Sequence, residues 1–98
     1  MVVDIPKGSI EYVPIKVDDR LGSVTSLNAL VVEQKIVSED EATTVQDWTA
    51  CDTDVMLVKP LIDTSVVGYV KGSMYRIYLK VSIAPEYPIM GPFGIRII

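Results

Sequence analysis

A chain of 98 residues with 49% apolar and 22% charged side chains forms a single core and is too apolar to stay disordered. Its net charge of −4, with nine Lys and Arg scattered singly, excludes the basic patch that nucleic acid binding requires. The absence of histidine and the single cysteine, Cys51, exclude an internal disulfide and a Cys- or His-based zinc site.

Residues 1–7, Met-Val-Val-Asp-Ile-Pro-Lys, lack a basic segment, and Asp4 and Pro6 interrupt the apolar run, so no signal peptide is expected. No stretch approaches the ~20 apolar residues of a membrane span. The expectation is cytoplasmic synthesis of a protein that stays soluble or joins a larger particle there, without a membrane partner. A mean hydropathy of +0.34 fits either a lean polar surface or an apolar patch facing a partner.

Alternation with a period of two dominates the chain. In residues 10–17, Val13, Ile15 and Val17 share one face, with Glu11 on the same parity. Pro14 cannot donate to a ladder, which predicts an edge strand or a bulge. Residues 18–23, Asp-Asp-Arg-Leu-Gly-Ser, read as a turn. Residues 27–37 are rich in aliphatic and β-branched types and predict a strand. Ser38 and Glu41 have capping-box spacing, but Thr43, Thr44 and Val45 suit a strand, so residues 38–42 are expected to form an acidic loop. A short strand over residues 47–51 carries Trp48, and another runs over residues 54–62, interrupted by Pro60.

After Gly72 the pattern is clearest. Tyr75, Ile77, Leu79, Val81 and Ile83 point one way, and Arg76, Tyr78, Lys80 and Ser82 the other, as in a half-buried strand. Pro85, Pro88, Gly91 and Pro92 form the next connection, and Phe93, Ile95 and Ile97 a last inward row. The result is one domain over residues 1–98, an all-β sandwich of about seven short antiparallel strands. Trp48, Tyr75, Ile77, Leu79, Val81, Phe93, Ile95 and Ile97 are its expected core.

No constellation for catalysis is present. Without histidine the base for a nucleophile would have to be a carboxylate or a lysine, and no motif presents one; Cys51 beside Trp48 reads as a small core residue. Asp18-Asp19 and Asp52-Thr53-Asp54 are carboxylate pairs of a kind calcium uses, but neither matches a cation-loop motif and Asp is common in turns. The six glycines are isolated and form no phosphate-cradling run. No cofactor, metal or enzymatic activity is expected.

The layout of the second half resembles a known group. Trp48 lies in a short central strand, Gly72 precedes the aromatic strand at Tyr75, and Pro85-Glu86-Tyr87-Pro88 precedes a final apolar strand. Residues 8–15, Gly-Ser-Ile-Glu-Tyr-Val-Pro-Ile, match the usual first strand. The chain is similar to the small β-sandwich virion proteins of tailed bacteriophages, of the long-tail-fibre type, and to the immunoglobulin-like domain that opens some baseplate upper proteins. Two departures count against a true immunoglobulin domain. The inter-sheet cysteine pair is missing, and Gly72 lies three residues before Tyr75 instead of two, which argues against a tyrosine corner.

The resemblance implies a virion localisation, assembly in the host cytoplasm, other virion proteins as partners in a multi-copy symmetric assembly, and no catalytic residues. Two roles follow: a tail, baseplate or fibre-attachment adaptor, and a capsid decoration protein that cements shell subunits; a third reading, with no virion link, is a cellular protein- or carbohydrate-binding module. The expected contact surface is Arg76, Tyr78 and Lys80, where a free-standing domain carries polar residues, with Tyr87 as a second exposed aromatic. The alternative is that Tyr78 merely covers its own sheet, packed on the Lys80 stem.

Overall fold

The computed structural model describes residues 2–16, 30–55, 57–82 and 87–98. Its regular elements are all strands: β1 Val2–Ile5, β2 Ile10–Tyr12, β3 Ile15–Lys16, β4 Val32–Ser38, β5 Thr44–Ala50, β6 Asp52–Asp54, β7 Leu57–Lys59, β8 Leu61–Asp63, β9 Met74–Val81 and β10 Ile89–Ile97. β9 sets the pattern, because its burial alternates without a fault from Met74 to Val81. Such a strand belongs in the middle of a sheet with one face dry.

β9 lies at the centre of a five-stranded sheet of order β1-β10-β9-β4-β5. β10, β9, β4 and β5 pair antiparallel, but β1 runs parallel to β10, with Val2 opposite Gly94 and Ile5 opposite Ile97. This corrects the all-antiparallel expectation. Period two reports which face a residue takes and carries no information about strand direction.

The remaining strands pair as β2-β8 and β3-β7-β6, and they form one layer. The register from Ile10↔Asp63 to Tyr12↔Leu61 continues unslipped into Ile15↔Val58 and Lys16↔Leu57. At the break the Val13 N–H donates to the Pro60 carbonyl at 2.9 Å. β2 with β3 and β7 with β8 are therefore two halves of one ribbon, interrupted where Pro14 and Pro60 have no N–H to give. Pro14 thus sits on an edge strand, as its chemistry requires.

The inner faces of the two layers meet in a dry core. Ile36, Tyr75, Ile77, Leu79, Val81, Ile95 and Ile97 of the larger sheet pack with Val13, Ile15, Val58 and Ile62 of the smaller one. The buried Gln34 spans the layers, its Nε2 donating to Gln46 Oε1 at 2.7 Å and to the Leu61 carbonyl at 3.3 Å. A buried amide without such partners would cost stability.

Several local expectations need correction. The strand expected at 27–37 is Val32–Ser38. The acidic loop expected at 38–42 is present, closed as a turn in which Ser38 Oγ accepts the Thr43 N–H at 3.1 Å. The expected strand 54–62 is split, with Asp54 in β6 and Pro60 between β7 and β8. Gly91 and Pro92 belong to β10 and not to the connection before it. Phe93 stands opposite the buried Ile77 and packs against the core with Ile95 and Ile97 as expected, but it is only half-buried. Val17, the turn at 18–23, residues 27–29, Ile83, Pro85 and Glu86 lie outside the described residues.

Tyr75 is also tied to the connection before its own strand. The Tyr75 hydroxyl accepts the Val70 N–H at 2.7 Å and donates to the Gly68 carbonyl at 3.0 Å. Its ring meets Tyr69 edge-on, centroids 5.1 Å apart. The hydroxyl thus reaches back and holds that connection against the sheet. Tyr75→Phe is expected to fold but to lose about 1–2 kcal/mol, because it leaves the Val70 N–H without its acceptor. Urea denaturation midpoints measure the loss.

Candidate partner-binding face

On the outer side of the larger sheet, register alone assembles a cluster. β4 sets Glu33, Lys35 and Val37 opposite Lys80, Tyr78 and Arg76 of β9, all on the parity opposite the buried Ile36, Ile77 and Leu79. β10 adds Ile89 beside Lys80, with 59% of its surface exposed. β5 adds Trp48. Arg76, Tyr78 and Lys80 therefore share one face as expected. Tyr87 is also exposed, but it stands in the connection ahead of β10 and not on the β9 face.

Trp48 is the main correction. It does not enter the core; it is half-buried on the outside, with the Lys80 Nζ 4.3 Å and the Lys35 Nζ 5.9 Å from its ring centroid. The cause is in the ladder. Gln34 pairs with Thr49 and Ile36 with Gln46, so three residue steps of β5 match two of β4, and a second shift separates Ile36 from Val37. Bulges of this kind reset which face follows. The Trp48 N–H donates to its neighbour Asp47 Oδ1 at 2.8 Å. Nothing in the residue types of β5 announces the bulges, and a large apolar ring does not by itself say which face of a strand it takes.

The charges on this face are linked. Arg76 Nη1 donates to Glu41 Oε2 at 2.9 Å, and Lys80 stands 3.9 Å from Glu33. Hydrogen bonding to the Glu41 carboxylate pushes the Tyr78 phenol above its ordinary range. Glu41, at the tip of the turn with φ 61°, thus ties the loop to the sheet. Between these groups lies a hollow of about 360 Å³ lined by Lys35, Val37, Glu41, Thr44, Trp48, Tyr78 and Ile89. Val37 is only 5% exposed although it points outward, so this face buries a small apolar cluster of its own. Half-buried aromatics with flanking cations combine apolar area and hydrogen bonding, which suits protein contact.

The other candidate groups lie elsewhere. Cys51 is partly buried and packs against the core. Burial first, and then the nearby Asp52, pushes its thiol up to about 12, so it is protonated at neutral pH and a poor nucleophile. Asp52 and Asp54 lie in a strand, not a loop, and Asp52 Oδ2 accepts the Tyr12 hydroxyl at 2.8 Å. Asp18-Asp19 lies outside the described residues. Among the described residues no three His, Cys, Asp or Glu side chains come together as a metal site would need, and no helix is long and apolar enough to cross a membrane. The chain matches no protein-family model, no curated protein and no solved structure.

Proposed function

We propose that this protein is a non-enzymatic structural component of a tailed-phage virion, most nearly a tail, baseplate or fibre-attachment adaptor, and that it contacts other virion proteins through the outer face of its larger sheet. The virion assignment rests on the sequence resemblance. The contact assignment rests on one observation: Trp48, Tyr78 and Ile89 surround a hollow on a face that a solitary sandwich would cover with polar side chains. The accompanying fold reading is an immunoglobulin-like sandwich. Its support is the strand order β1-β10-β9-β4-β5 opposite a layer built from β2–β3, β7–β8 and β6, together with the Tyr75 hydroxyl bonds.

The face argues against the carbohydrate-module alternative. A sugar stacks on an open indole, and Lys80 already lies over the Trp48 ring. The test is incorporation into particles. Arg76→Ala, Tyr78→Ala and Trp48→Ala are expected to leave the isolated domain folded, with incorporation reduced tenfold or more, since hot-spot truncations cost ~2 kcal/mol or above. Wild-type incorporation of all three would move the contact to loops or termini. Copy number in purified particles separates the two virion roles: a few to dozens marks a tail part, and hundreds mark shell decoration.

A further inference from the structure

The smaller sheet carries a second apolar patch on its own outer side. Ile10, Tyr12 and Leu61 are 60%, 51% and 43% exposed, and register sets Tyr12 directly opposite Leu61. Around them lie Asp63, opposite Ile10, and Asp52 and Asp54 of β6, opposite Lys59 and Leu57. The Tyr12 hydroxyl is held by Asp52, and Lys59 lies 5.8 Å from its ring centroid. The ring is thus ordered before any partner arrives, which lowers the entropy cost of docking. This patch and the Trp48 hollow are on opposite sides of the sandwich.

Charge makes the two sides complementary. The chain holds nine Lys and Arg and 13 Asp and Glu for a net −4. Three of those cations (Lys35, Arg76, Lys80) and two of the carboxylates (Glu33, Glu41) stand on the Trp48 face, which leaves it at +1. Among the described residues of the Tyr12 side, Asp52, Asp54 and Asp63 stand with Lys59 and Lys16, which leaves that patch at −1. The two described faces are therefore opposite in sign, and the Tyr12 patch offers apolar area flanked by carboxylates.

Strand edges are poorly suited to the same task. The β2–β3 edge carries Glu11 on the core-facing parity, opposite the buried Ile62, and also Pro14. The β5 edge is broken by register shifts. Inward charges, prolines and bulges are devices that block edge-to-edge pairing. These two edges are closed to strand addition, which favours the faces beside them. Cα extents of 39 × 24 × 20 Å give the molecule sides on the scale of the ~800 Å² per partner that a standard interface buries.

We infer that the occupant of the Trp48 hollow is a second copy of this chain, docked by the Tyr12–Leu61 patch of its smaller sheet. The inference rests on the outer face being a protein-contact surface, and it adds the partner. Such a contact joins two different surfaces, so it repeats head to tail and builds a ring or a stack. Opposed charges steer the encounter and make it sensitive to salt.

The experiment is analytical ultracentrifugation of the isolated protein at about 1 mM in ~50 mM salt, then at ~500 mM salt. Wild type is expected to sediment above its 10.8 kDa monomer at low salt and to shift toward monomer at high salt. Lys35→Glu damages one surface and Tyr12→Ala the other, and each alone is expected to weaken self-association tenfold or more. Mixed in equal amounts, they are expected to form a one-to-one pair and nothing larger, because one intact surface of each kind remains. Trp48→Ala with Leu61→Ser repeats the design, and circular dichroism confirms folding of all four. A monomeric wild type at low salt overturns the inference. So does full self-association by either variant alone, which would mean one surface pairs with itself. If wild type is monomeric while Tyr78→Ala still lowers incorporation into particles, the face serves another virion protein, and only the choice of partner has failed.

Discussion

Leu79→Ala is expected to lower the melting temperature by roughly 10–30 °C, the largest loss of any single truncation proposed for this chain. Removing a fully buried leucine costs ~2–5 kcal/mol, the lost transfer energy plus the cavity left behind, and each kcal/mol is worth ~4–8 °C in a domain of this size. Leu79 is wholly buried, and its strand neighbours Gln34 and Met90 are fixed by their own ladders, so the site has little freedom to collapse. The adjoining Tyr78 gives an internal control. Its side chain points out, and Tyr78→Ala is expected to cost about 1 kcal/mol or less. Differential scanning calorimetry of both variants tests the assignment of faces within one strand. Equal losses would mean that β9 is buried on both sides.

That contrast also marks what the sequence could convey. In β9 every residue is paired and no bulge intervenes, so Tyr75, Ile77, Leu79 and Val81 fall inside and Arg76, Tyr78 and Lys80 outside, as alternation requires. Val13 and Ile15 likewise obey parity, and Pro14 marks an edge because an edge is where a missing N–H does least harm. The failure is Trp48, expected in the core for its large apolar ring, although it lies three residues from the core-packed Cys51 and next to a register shift in the β4–β5 ladder. Phe93 keeps the inward parity of Ile95 and Ile97, opposite Ile77, and falls short only in its degree of burial. The candidate site was legible only in the part that β9 contributes. Trp48, Lys35, Val37, Glu41 and Ile89 join it through cross-strand pairing and a turn, relations between residues distant in sequence that no local pattern encodes. A more attentive reading of β4 would have placed Lys35 with Glu33, two residues apart on the polar side of an otherwise apolar strand.

Gly91→Ala is the second substitution with a large expected effect, and the one that links the fold to the face. Gly91 has φ 125°, and a Cβ built on it would lie 2.8 Å from the Ile77 carbonyl oxygen and 3.3 Å from Tyr78 Cδ1. Two costs combine. An L-residue at this φ is strained by ~1–3 kcal/mol, and the carbonyl cannot step aside without disturbing β9, the central strand. Gly8→Ala isolates the first cost, because Gly8 has φ 94° and nothing within 4 Å of the added carbon. Gly91→Ala is therefore expected to cost about 2 kcal/mol more than Gly8→Ala, read as the difference in urea midpoints at equal m-value. The bulge that needs Gly91 brings the β10 backbone down beside Tyr78, so relief of the clash moves that ring on the contact face. Among molecules that remain folded, Gly91→Ala is expected to lower particle incorporation as Tyr78→Ala does, while Gly8→Ala leaves it unchanged. Equal destabilisation by the two alanines would show that β10 relaxes around the methyl group, and that close approach at Gly91 does not set the position of Tyr78.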